Sequence, residues 1–111
     1  MKRIAACVPD LMDRSKVAAV APGAVFVAHP AELRQAAGEH RAELVVLDLR
    51  RPGALAAVTE LAADGLDTIG FGSHVELALL DEARAAGCGK VLTRALFFRE
   101  LRGLLGETDA P

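Results

Sequence analysis

The sequence predicts a doubly wound α/β domain, a five-stranded parallel sheet with helices on both faces. Three observations carry the prediction. Short β-branched apolar runs alternate with longer Ala/Leu-rich segments, the pattern of repeated βα units. Several of the runs are apolar without alternation, as strands covered on both faces are. The 111 residues fit one domain and are enough to bury a core without a disulfide or a structural metal.

The elements follow in order. The first strand falls within Arg3–Val8, and Asp10 N-caps a helix running roughly from Leu11 to Ala21. Pro22-Gly23 stops that helix. The second strand lies in Ala24–Ala28, and the second helix opens on Pro30, a favourable first helical position, with Leu33, Ala36 and Ala37 on one face. The third strand is Leu44–Leu49; after Pro52-Gly53, Leu55, Val58, Leu61 and Ala62 recur at helical spacing. The fourth strand is Thr68–Phe71. Ser73 and Glu76 have the S-x-x-E spacing of a capping box, so the fourth helix opens after Ser73 and ends at Gly87. The fifth strand is Lys90–Thr93, and the last helix sets Phe97, Leu101, Leu104 and Leu105 on one stripe, with Phe98 nearer its flank. The domain spans residues 1–106, and 107–111 reads as a frayed polar tail.

Composition narrows the function. The core must be built from Ala, Val and Leu, since there are four Phe and no Trp or Tyr. A net charge of -2 without a basic stripe gives no sign of a nucleic-acid-binding surface, so no nucleic-acid partner is expected. No leader and no apolar run of membrane-spanning length is visible, so the expected location is the cytoplasm. Cys7 and Cys88 lie far apart and read as reduced thiols. His29, His40 and His74 lack ligand spacing. No Gly-rich phosphate loop follows the first strand, and no nucleophile–base pair is visible, so an enzyme is not expected. Right-handed crossovers bring the βα loops to the carboxyl edge of the sheet, where such folds bind ligands. Asp10, Asp48, Ser73 and Arg94 fall there.

The stretch EHRAELVVLDLRRPG, Glu39 to Gly53, ends a buried strand on Asp48 and places Pro52 four residues later. It resembles the third strand of the receiver domain of bacterial response regulators. LLDEARAAGCGKVL resembles the helix-to-strand passage of the same family. In element order and spacing the resemblance covers nearly the whole chain. It implies a flavodoxin-like, CheY-like sheet in the order 2-1-3-4-5, with the first and fifth helices on one face and the others opposite. It also implies that Asp48 stands at the phosphoacceptor position and Asp10 at the second acid of an Mg2+-holding pair. Pro9 replaces the first acid, leaving a weak Mg2+ site. Gly72 falls, by ungapped counting, where the family has a phosphoryl-holding hydroxyl, and Ser73 would serve after a one-residue shift. Arg94 replaces the family's Lys.

Each position also has a plainer role. Asp10 serves equally as a helix cap, and Ser73 is better explained by capping. A carboxylate closing the run Leu44–Leu47 is costly to bury unpaired, so Asp48 is expected in an ion pair. Arg94 is its first candidate partner, with Arg50 and Arg14 behind it. Arg50 and Arg51 otherwise read as a solvent-facing pair. The resulting expectation is an atypical, stand-alone receiver-like signalling domain with an incomplete phosphorylation site. It would act by protein–protein contact with a histidine kinase or an output protein. Its partner face would be the fourth and fifth helices and fifth strand, with a homodimer or partner contact near Phe98. The alternatives are a working phosphoacceptor using Asp48 in a phosphorelay, and a small-ligand-binding module at the same edge of the sheet.

Overall fold

The computed structural model describes residues 2–106; the expected tail, 107–111, lies outside them. Five parallel strands, β1 (Ile4–Cys7), β2 (Val25–Phe26), β3 (Leu44–Asp48), β4 (Asp67–Gly72) and β5 (Lys90–Thr93), form one sheet in the order β2-β1-β3-β4-β5. The helices are α1 (Leu11–Val20), α2 (Leu33–Glu39, led by a 3-10 turn at Pro30–Glu32), α3 (Ala54–Ala63), α4 (Leu77–Ala85), α5 (Arg94–Arg99) and α6 (Leu101–Leu105).

The central place of β3 follows from its composition. All five of its residues are buried, which only a strand covered on both faces can satisfy. Its side chains alternate between two cores. Val45 and Leu47 meet Leu33, Val58, Leu61 and Leu80 from α2, α3 and α4. Leu44 and Val46 meet Val17 of α1 and Phe97, Leu101 and Leu105 of α5 and α6. Helices therefore divide between the faces as expected. Asp48, the last residue of β3, sits at the carboxyl edge opposite Phe71 of β4.

Two expectations about helices need correction. The fourth helix starts at Leu77, not just after Ser73. Ser73 Oγ accepts from the Val75 N–H at 3.3 Å, and the Ser73 carbonyl accepts from the Glu76 N–H at 3.0 Å. The segment is spent in its own turn, so no capping box forms. The last helix is interrupted at Glu100 (φ -104, ψ 14), although Phe97, Leu101 and Leu105 stay on one buried stripe. Its start is capped by Thr93, whose Oγ1 accepts from the Leu96 N–H at 3.3 Å.

Candidate functional site

Asp48 ends a buried strand and is itself fully buried, so its charge must be compensated nearby. The next residues supply the compensation. Leu49 turns inward, and the Arg50 N–H donates to Asp48 Oδ1 at 3.0 Å, the geometry of an Asx turn. That turn carries the Arg50 side chain back over its own carboxylate. Arg50 Nε reaches Oδ1 at 3.2 Å and Nη2 reaches Oδ2 at 3.1 Å. Arg51 Nε adds an ion pair 3.4 Å from Oδ2, but misaligned, so this buried N–H lacks a hydrogen-bond partner. The Asp48 carboxylate, hydrogen-bonded and paired, raises the Arg50 pKa above its ordinary value.

The expected Asp48–Arg94 pair is therefore wrong. Arg50, the candidate behind it, answers instead, and both Arg50 and Arg51 pair with Asp48 while keeping part of their surface toward solvent. Strand β4 stands between β3 and β5, and Arg94 begins α5 rather than ending β5. Its guanidinium turns toward α1 instead. There it makes a two-pronged ion pair with Asp13, Nη1 to Oδ2 and Nη2 to Oδ1. The hydrogen bonds to Asp13 are the leading cause of a raised Arg94 pKa.

Asp13 is the functional-edge residue that sequence reasoning missed. It is buried together with Val17 on the inner face of α1. An acid at i-4 from an inward-facing Val was the available signal, since such spacing puts both side chains on one helix face. Asp10 caps the same helix, accepting the Asp13 N–H at 3.0 Å, and that hydrogen bond lowers its pKa.

The remaining predicted positions are brought to the same edge in other roles. Gly72 is the last residue of β4, paired with Thr93. A Cβ there would stand 3.1 Å from Leu80 Cδ2, so the position carries packing rather than a hydroxyl. Ser73 follows it, in the turn described above. Phe98 is half-buried, not an exposed anchor: Phe71 and Phe97 meet it edge-on at 5.5 and 4.9 Å. Arg94 and Lys16 lie 4.9 and 5.1 Å from its ring centroid. The large exposed apolar side chains are Leu11 and Met12 on α1 and Val75 and Leu77 around the start of α4.

This donor set does not fit Mg2+. Both oxygens of Asp48 are held by Arg50, Asp10 gives one oxygen to its cap, and Pro9 offers no side-chain ligand. Among the described residues no group of three His, Cys, Asp or Glu could hold a metal ion. Guanidinium groups occupy the place where carboxylates would have to converge.

No protein-family model matches the sequence, and no curated protein matches it. Solved structures do match. The chain is similar to the phosphorylated cyanobacterial phytochrome response regulator RcpA, with 16% identity, a TM-score of 0.78, and 93% of this chain and 90% of that one covered. It is similar to the receiver domain of Francisella response regulator 1452, with 12% identity, a TM-score of 0.77, and coverage of 95% and 93%. The receiver domain of NtrX from Brucella abortus gives 16% identity, a TM-score of 0.73, and coverage of 96% and 99%. The chain thus has the fold of response-regulator receiver domains over most of its length. Strand order and helix placement agree with that architecture.

Proposed function

We propose that this chain is a receiver-like signalling domain that works through contact with a protein partner, with Asp48 serving as a structural ion-pair partner. One observation carries the reading: both Asp48 oxygens are engaged by Arg50, and Arg51 stands behind it. An incoming phosphoryl group needs one of those oxygens free, and needs cations positioned on the phosphoryl oxygens instead. Arg94, the cation expected to assist, is committed to Asp13. No turnover and no Mg2+ enter this reading. A histidine kinase or an output protein is the proposed kind of partner, and the cytoplasm the proposed location. Among the described residues no helix is long and apolar enough to cross a membrane. The exposed Val75 and Leu77 supply apolar contact area beside α4.

The test is incubation with a small-molecule phosphodonor and Mg2+, read by intact mass and peptide mapping. The expected result is no covalent phosphoryl group on Asp48. Stoichiometric transfer to Asp48, abolished in Asp48→Asn, would establish a working phosphoacceptor instead.

A further inference from the structure

The arginine pairs leave a cationic concavity on the outside of the edge. A cavity of about 470 Å3 lies between α1, the segment after β4 and the start of α5, lined by Lys16, Arg50, Arg94, Ser73, Thr93 and Phe98 among others. Among the described residues no Asp or Glu lines it. The reason is geometric. Asp48 and Asp13 are buried, with side-chain exposures of 0% and 1%, whereas their partners Arg50 and Arg94 are 42% and 39% exposed. Each carboxylate lies beneath its guanidinium, and the positive groups face outward.

The lining retains the donors an anion needs. A guanidinium has more N–H groups than a bidentate carboxylate occupies, so Arg50 and Arg94 keep donors free. Lys16 is exposed and joins no salt bridge among the described residues, resting instead against the Phe98 ring. The Ser73 and Thr93 hydroxyl oxygens accept backbone N–H groups, which leaves each O–H able to donate. Arg and Lys converging with hydroxyl donors is the chemistry of phosphate recognition. The volume exceeds what a bare phosphate needs and falls in the range of small-molecule sites, ~300–1,000 Å3.

The geometry points to a reversible binding site for a small organic phosphate, its phosphate held by Lys16, Arg50 and Arg94 and its organic part in the remaining volume. This goes beyond the signalling reading and does not depend on it. Binding requires neither covalent transfer to Asp48 nor Mg2+.

The test is calorimetric titration of the wild-type protein in Mg2+-free buffer with inorganic phosphate, glycerol phosphate and adenosine monophosphate. These low-energy phosphates do not transfer a phosphoryl group to a carboxylate. Adenosine and succinate serve as the uncharged and carboxylate controls. The expected result is saturable binding of a phosphate ester in Mg2+-free buffer, weaker as salt rises. Lys16→Ala should weaken it at least fivefold and Lys16→Glu further, with unchanged circular dichroism, because Lys16 joins no ion pair among the described residues. Absence of binding by every phosphate, binding that requires Mg2+, or full binding by Lys16→Glu would each overturn the proposal. The signalling reading stands or falls separately, on transfer to wild-type Asp48.

Discussion

Arg94 and Asp13, 81 residues apart in sequence, tie the start of α5 to the inner face of α1 through a bidentate ion pair. Asp13 is almost fully buried and Arg94 about two-fifths exposed. The pair thus has one end in the protein interior and one in solvent.

Breaking the pair should be asymmetric. Arg94→Ala leaves a carboxylate buried without its cation, and losing one member of a fully buried pair costs ~3–5 kcal/mol. Partial exposure of Arg94 reduces the expected loss to roughly 2–3 kcal/mol after discounting for solvent screening. Asp13→Asn/Arg94→Gln should cost less than the two single substitutions together, since each single strands what the other has already removed. Urea denaturation of the four proteins measures this, and strict additivity would contradict the pairing.

Gly70 sits under the Asp48 turn. A Cβ there would lie 2.7 Å from Leu49 Cδ2 and 2.9 Å from its Cγ, and Leu49 is buried. Gly70→Ala therefore forces the whole Leu49 side chain to move, an overpacking that costs about 1–3 kcal/mol. Because Leu49 links Asp48 to Arg50, the NMR signals of the Arg50 backbone amide should shift as well. An unshifted Arg50 amide would show that the turn is independent of the packing beneath it.

Asp10 sets a pH dependence at the start of α1. Its carboxylate accepts the Asp13 N–H, and that bond lowers its pKa from the ordinary 3.8. A depressed folded-state pKa means a contribution present above the unfolded value and lost as pH falls through the folded one. The Asp13 amide proton should accordingly shift with a midpoint below 3.8. Asp10→Asn should keep the cap and lose this titration, and Asp10→Ala should lose both.

The cysteines should be chemically silent in the native state. Burial pushes the Cys7 thiol up to about 11 and also raises Cys88, so little thiolate is present near neutral pH. Ellman's reagent should find no fast-reacting thiol in native protein and both after denaturation. Rapid native labelling of Cys7 would contradict the burial of β1.

Much of the fold was legible because covered parallel strands leave a plain record. Leu44 to Leu49 is apolar except for Asp48, and β3 ends on that residue. The end of β5 at Thr93 was equally plain. Ala24–Ala28 overstated β2, since residues at a sheet edge have one partner strand and only Val25 and Phe26 pair in register with β1. At the site, burial of Asp48 followed from the strand it closes, and its need for a cation followed from burial. Which arginine would answer did not follow. Counting along the chain set Arg94 at a strand end, whereas the start of a helix turned it toward Asp13. The short-range answer, an Asx turn bringing Arg50 back onto Asp48, is a local geometry that counting does not reveal.

The brevity of β2 bears on how copies of this molecule meet one another. An open sheet invites strands from other molecules at its two unpaired rims. At one rim the ladder is Val25–Phe26, with Pro22 before it and Pro30 after it. At the other, β5 runs only from Lys90 to Thr93 and passes directly into α5. A foreign strand finds too little exposed backbone at the first rim to hold register, and a charged side chain and a helix at the ends of the second. The same economy that makes β2 hard to read in the sequence guards the sheet against growing by edge addition.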